Sequence, residues 1–324
     1  MKTLAKKIFS IAGRPIDLLV AVLAAPCAYL LLGYRRIGSK RLPLTTMLLK
    51  KIGLFPIRRH YYEPLFDDSA LTKPLSDDRS LPGIDLNVSG QLSFLDNLTY
   101  SPELLEMNWN KKSDDPNAFC FGNGSFESGD ADFLYQFIRA AKPGKIVEIG
   151  SGYSTKIARL ASLRNFAESN RKTTHTCIEP YEMSWLESLG EISVVRKRVE
   201  DCNLDWGREL GAGDLLFVDS SHMIRPQGDV LTEYLEIFPL LSAGVYIHIH
   251  DILTPKDYLR RWVVEEVRFW NEQYLLEALL SNTERYEVIG ALNYLMHHKY
   301  EQLKDVCPYL TPEREPGSFY MRVR

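Results

Sequence analysis

The stretch "IVEIGSGYSTKIARLA", residues 146–161, decides the fold. Ile146, Val147 and Ile149 read as a buried strand, Gly150-Ser151-Gly152 as a sharp turn, and Ser154 or Thr155 as the cap of a following helix. Glycines permit the turn and let a ligand approach the backbone, while the helix amino terminus offers free N–H groups. Glu179 follows Gly150 by 29 residues and ends the next apolar run, "HTCIEP" (175–180). A carboxylate there can accept both hydroxyls of a ribose. The third glycine of a dinucleotide fingerprint is absent, with Ser154 and Thr155 in its place, which argues against NAD.

Outward from this turn, short apolar runs alternate with helical ones. The strands are "KIVEIG" (145–150), "HTCIEP" (175–180), "ISVVRKRV" (192–199), "DLLFVDS" (214–220) and "VYIHIHD" (245–251). "DADFLYQFIRAA" (130–141), "STKIARLASLRNFAES" (154–169), "EMSWLESL" (182–189) and "DVLTEYLEIFPLL" (229–241) have helical patterns. Such alternation requires a parallel sheet covered on both faces. The spacing then predicts one long amphipathic helix over 255–281. Two closing strands, in "YEVIGALNYLM" (286–296) and "GSFYMRVR" (317–324), complete an α/β, Rossmann-like, seven-stranded sheet whose last strand is antiparallel.

At this point the chain resembles the class I S-adenosylmethionine-dependent methyltransferases. The matching features are Glu148-x-Gly150-x-Gly152, Glu179 after strand two, Glu200-Asp201 after strand three and Asp219 ending strand four, within residues 130–324. The resemblance implies S-adenosyl-L-methionine as cofactor. Its methionine part would lie on the Gly150–Gly152 turn, with Glu148, Ser151, Tyr153 and Ser154 around it. Glu179 would meet the ribose, Glu200 or Asp201 the adenine side, and Asp219 would complete the pocket.

"VDSSH" (218–222) and "HIHD" (248–251) are expected together, because ligands bind beyond the carboxyl ends of such strands. Asp219-Ser220-Ser221-His222 and His250-Asp251 look like the set of the metal-dependent sugar O-methyltransferases, although His250 stands where that subset carries an acid. By resemblance, Asp219, His250 and Asp251 would hold a divalent ion, magnesium or manganese, and His222 with Asp219 would be catalytic. The chemistry fits those roles: a cation binding adjacent hydroxyls lowers their pKa, and a histidine removes the proton. Period-two alternation puts His248 about 7 Å deeper than His250, as a core residue. Trp262, Phe269, Trp270 and Tyr274 fall at near-helical spacing and read as core, and His297-His298 as a solvated helix end.

The amino-terminal part has another character. The first sixty residues hold twelve Lys and Arg, Lys2, Lys6 and Lys7 among them, against Asp17 alone; the rest holds 27 bases against 41 acids. Leu18 to Tyr34, "LLVAVLAAPCAYLLLGY", is seventeen residues without a charge, between Arg14 and Arg35-Arg36. That is roughly 25 Å of helix against a hydrocarbon core of about 30 Å. Pro26 interrupts its hydrogen bonding, and bases on both flanks give no orientation. A membrane-associated helix over residues 16–34, re-entrant or spanning, is the expectation; a signal peptide and a buried core helix are the rivals, and Pro26 beside Cys27 argues against a lipoprotein signal.

Three segments follow: a basic, apolar membrane segment (1–45), a proline-rich linker and accessory cap (46–129), and a methyltransferase domain (130–324). The glycine-rich "FCFGNGSFESGD" (119–130) reads equally as a substrate-facing lid or a plain connection. Five scattered cysteines without a Cys-x-x-Cys pair indicate neither a disulfide framework nor a zinc knuckle, and fit a reducing compartment. The functional expectation is O-methylation of a sugar hydroxyl on a glycan or lipid-linked saccharide in polysaccharide biosynthesis, at the cytoplasmic face of the cell membrane, without nucleic acid as a partner. The alternatives are metal-free methylation of a lipid, small metabolite or protein side chain, and a noncatalytic membrane adaptor with this fold.

Overall fold

Short β-branched and aromatic runs form the predicted strands because both of their faces are covered. The computed structural model describes residues 2–324, with side chains from residue 13 onward; Met1 and the side chains of Lys2, Lys6 and Lys7 in the basic arm lie outside the described residues. The strands are β1 (Lys145–Ile149), β2 (Thr174–Ile178), β3 (Ser193–Val195), β4 (Leu215–Val218), β5 (Tyr246–Ile249), β6 (Tyr286–Ala291) and β7 (Phe319–Val323). They form one sheet in the order β3-β2-β1-β4-β5-β7-β6. β7 runs antiparallel to both its neighbours, while β1 to β5 are parallel. This is the mixed α/β sheet expected from the sequence.

Register positions the site. Ile149 is opposite both Ile178 and Val218, and Val218 is opposite Ile249. The residues that follow these four, Gly150, Glu179, Asp219 and His250, therefore leave the sheet at one edge, where the strand order reverses between β1 and β4. A crevice at such a reversal is where open α/β sheets bind ligands.

Alternate side chains of each strand enter different cores. On one face Ile146, Leu215, Phe217 and Tyr320 pack with α5 (Asp130–Ala141) and α6 (Tyr153–Ser169). On the other, Val147, Leu216, Ile247 and Met321 pack with Val230, Tyr234 and Leu276. The compact units divide after Thr72, so residues 73–129 pack as part of the sheet domain. Leu95, Leu104, Trp109 and Phe126, in and after α3 (Val88–Leu95) and α4 (Ser101–Met107), enter the first core. Buried Arg139 ties α4 to the sheet domain by bonding Glu103 at 2.8 Å, and it also meets Glu168.

The helix expected over 255–281 is not continuous. A π turn at Arg261–Glu265 gives way to a bend, with Val267 in the left-handed region, and the helix α7 runs only over Glu272–Leu280. Tertiary bonds explain the break, since the N–H groups of Asn271 and Glu272 both donate to the carbonyl of His222. "EMSWLESL" forms only a single 3-10 turn at Leu186–Ser188.

The first unit contains α1 (Lys2–Ile37) and α2 (Pro43–Ile52). α1 continues through Pro15 and Pro26. The most apolar window of its segment Gly13–Ile37 has a mean hydropathy of 2.1 and no buried residue. Those 25 residues span about 37 Å at 1.5 Å each, longer than a hydrocarbon core.

Candidate active site

The glycine turn is built from below. Glu148, buried in β1, accepts from Ser154 Oγ at 2.6 Å, Thr155 Oγ1 at 2.9 Å and His175 Nε2 at 2.9 Å. Those bonds pin the first turn of α6 against the strand, and Thr155 Oγ1 accepts the Gly152 N–H at 3.0 Å. Gly150 has φ +76°, and a Cβ there would lie 1.8 Å from the carbonyl oxygen of Asp219. No residue with a side chain fits that approach. Asp219 N–H in turn donates to the Ile149 carbonyl at 2.9 Å, so the ends of β1 and β4 hold each other.

Above this turn is a cleft of about 710 Å³ lined by Gly150, Ser151, Gly152, Tyr153, Ser154, Glu179, Glu200 and Asp219, with Tyr181, Met183, Arg225 and Asp229. Its size suits a nucleoside-containing cofactor. Glu179 Oε1 accepts from the N–H groups of Tyr181 and Glu182 at 2.9 and 2.8 Å, and Oε2 from that of Ser151 at 3.3 Å. These bonds fix the carboxylate at the rim. Two residues expected on the cofactor do not line the cleft. Glu148 lies beneath it as the anchor just described, and Asp201 is exposed and pairs at 2.7 Å with Arg198, which lines the cleft together with Glu200.

A second cavity of about 550 Å³ opens beside the first. Asp130, His250, Asp251, Trp262 and Arg268 line it, and Asp219 and Ser125 line both. The segment around Ser125 thus stands at the junction of the two cavities.

Between the cavities lies an acidic cluster. His222 Nε2 is 3.3 Å from Asp219 Oδ1 and 3.4 Å from Asp251 Oδ2, and its Nδ1 is 2.8 Å from Glu272 Oε2. His222 and Asp251 both have φ +56°, which turns their side chains inward toward one another. Burial alone would lower the pKa of His222, but Asp219 and Glu272 outweigh it and hold the imidazole well above its usual range. Burial likewise opposes a charge on His250, yet Asp251, Asp219 and Asp130 raise its pKa. Asp219 sits below the usual carboxylate range because His250 and His222 together exceed its desolvation.

Asp219, His222 and Asp251 offer donor atoms within 4.8 Å of one another, a mixed oxygen and nitrogen set that suits a divalent cation. His250 is outside that group, with Nε2 3.7 Å from Asp251 Oδ1. The trio thus differs from the expected Asp219, His250 and Asp251 by exchanging one histidine for the other. His222 lines neither cavity and lies behind the two carboxylates. His248 is wholly buried between the rings of Phe217 and Tyr320, at 4.0 and 4.6 Å, and burial holds it neutral, well below histidine's usual pKa.

Residues 147–252 match a methyltransferase-domain family model. The matched stretch reaches from β1 to just past Asp251, so it contains the glycine turn, Glu179, Asp219, His222 and His250. An uncharacterized protein of Archaeoglobus fulgidus is 30% identical over 136 residues, 39% of this chain and 59% of its own length. The chain therefore spans under two thirds of that relative. A solved structure assigned as a protein-L-isoaspartate O-methyltransferase of Plasmodium falciparum, in complex with S-adenosyl-L-homocysteine, aligns at a TM-score of 0.29 and 15% identity. The alignment covers 49% of this chain and 83% of that one.

Sequence reasoning did not single out Glu272, Asp130 or Ser125. Glu272 stands 50 residues from His222 inside what reads as one amphipathic helix, where a glutamate carries no signal. Trp270, read as core, packs its ring 4.5 Å from that of His222.

Proposed function

We propose that this protein transfers the methyl group of S-adenosyl-L-methionine to a hydroxyl of a saccharide, on a glycan or lipid-linked precursor at the cytoplasmic face of the cell membrane. The observation that carries this reading is the meeting of two cavities at Asp219, one beside the glycine turn and one beside His250 and Asp251. The first is read as the cofactor cleft, with Glu179 accepting from the ribose hydroxyls and Glu200 toward the adenine side. The second is the acceptor cavity. Methyl transfer needs the two reactants held in line and away from water, which abutting cavities provide.

In this reading Asp219, His222 and Asp251 would hold a divalent cation, which would polarise acceptor hydroxyls. Glu272 fixes His222 with Nε2 toward the cation site, the carboxylate–histidine arrangement that orients metal-bound imidazoles. That takes His222 out of the role of general base. His250, which lines the acceptor cavity, accepts the hydroxyl proton at Nε2. α1 anchors the chain in the bilayer, and its length and exposed apolar surface support that part.

The test is calorimetry of the full chain with S-adenosylmethionine, followed by mass spectrometry of glycolipids and polysaccharide from cells with and without the intact gene. Cofactor binding and products lacking one methyl group in the deletion are expected. Binding with unchanged glycans would overturn the saccharide assignment, and loss of transfer without loss of binding on adding EDTA would support the cation. Absence of binding would favour the noncatalytic adaptor.

A further inference from the structure

Within the first unit, α2 and the residues after it carry an apolar face. On α2, Leu44, Met47, Leu48 and Ile52 are exposed, and their spacing puts them on one side of the helix. The opposite side is engaged: Leu49 is buried, and Thr46 Oγ1 is 2.6 Å from the hydroxyl of Tyr34 on α1. After α2 the chain turns at Gly53, φ +85°, and presents Leu54, Phe55 and Ile57, also exposed. Tyr61 and Tyr62 follow, 90% and 85% exposed.

The charges around this face have one sign. From Arg35 to Glu63 the chain holds eight bases, Arg35, Arg36, Lys40, Arg41, Lys50, Lys51, Arg58 and Arg59, and one acid, Glu63. Glu63 pairs with Arg35 and Arg58. The guanidinium of Arg35 also lies over the Phe55 ring at 4.8 Å, fastening the segment after α2 to the end of α1.

We propose that residues 39–62 form a collar that lies in the headgroup layer of an anionic bilayer, α2 parallel to the surface, on the side where Arg35 and Arg36 leave the membrane. The proposal rests on the reading of α1 as a membrane helix. Three observations carry it. The apolar face belongs to a segment that Thr46 and Phe55 fasten to Tyr34, near the end of a helix long enough to span. Arg59 pairs with Asp67 at 3.2 Å, but Lys40, Arg41, Lys50 and Lys51 have no carboxylate within 4 Å among the described residues; lipid phosphates would supply an anionic partner, and a second, equally basic copy of the face would not. Exposed tyrosines beside a basic amphipathic helix suit the interface between acyl chains and water.

The test uses the full chain with Leu48→Trp, since every native tryptophan lies in 109–270, reconstituted into vesicles of phosphatidylcholine alone or with a third phosphatidylglycerol. The difference spectrum against the unsubstituted chain isolates the new indole. Expected is quenching of that indole by acyl-brominated lipid and protection from acrylamide in the anionic vesicles, reversed by high salt. Adding Lys50→Gln and Lys51→Gln lowers the ratio of lipid-bound to aqueous indole about thirtyfold, at roughly fivefold per cation near an anionic surface. Flotation of the chain with the indole still open to acrylamide in both vesicles overturns the collar and leaves α1 as the anchor. Failure to float overturns both. An indole protected without lipid, in a chain whose sedimentation shows a dimer, assigns the face to self-association instead.

Discussion

Glu272 Oε2 lies 2.8 Å from Nδ1 of His222, across 50 residues of sequence, and so decides which imidazole nitrogen faces Asp219 and Asp251. Both residues are buried, and the left-handed backbone of His222 aims the ring. Replacing Glu272 by Gln keeps the volume and removes the charge. Affinity for manganese, read by calorimetry on the full chain, falls about 10- to 100-fold, the range for such supporting carboxylates, while S-adenosylmethionine affinity is unchanged. An unchanged manganese affinity would remove the cation from this cluster.

Two neighbouring glycines should respond differently to alanine. At Gly150 the added Cβ would overlap the Asp219 carbonyl at 1.8 Å in a left-handed conformation, whereas at Gly152 it meets only Met183, at 3.7 Å. Gly150→Ala is expected to cost about 3 kcal/mol or more, because strain and the lost β1–β4 contact add. Gly152→Ala leaves the melting temperature within a few degrees, and thermal unfolding of the two variants side by side checks the contrast.

Glu179→Ala removes the acceptor fixed at the rim by three backbone amides and leaves those N–H groups without it. S-adenosylmethionine binding weakens about 10- to 100-fold, corresponding to roughly 1.5–3 kcal/mol for hydrogen bonds to a charged group. Asp201→Ala removes an exposed carboxylate that does not line the cleft, and Arg198, which does, keeps Glu200 at 3.6 Å, so binding changes less than with Glu179→Ala. Titration calorimetry separates them.

Stability should fall with pH across a defined window because of Asp132. Burial raises this carboxyl to about 6 from 3.8, although the N–H groups of Tyr309 and Gly129 donate to it. Between those values the folded chain keeps a proton that the unfolded chain has released, so unfolding becomes easier as pH rises. The contribution is about 1.4 kcal/mol per pH unit, roughly 3 kcal/mol in all, fully lost above pH 6. Chemical denaturation at several pH values should show this slope, and Asp132→Asn should flatten it whatever its effect on absolute stability.

The sequence by itself determined the sheet, the glycine turn and the long apolar helix, because each depends on local pattern. Runs of apolar residues with period two or 3.6 bury a face wherever they occur, and Gly150 and Gly152 between strand and helix allow few alternatives. Asp219 and His250 also followed from the sequence, since the residue after a parallel strand must emerge at the sheet's carboxyl edge. Only the tertiary structure decided that Glu148 anchors the turn from below, that Asp201 faces solvent while Glu200 faces the cleft, and that His222 joins Asp219 and Asp251 in place of His250. It also broke the helix over 255–281, because the carbonyl of His222 and a buried imidazole needed the backbone and side chain of residues 271 and 272. The bonds from Asn271 and Glu272 to His222 span 49 and 50 residues, and no periodicity in a single chain records which distant donor will meet which acceptor.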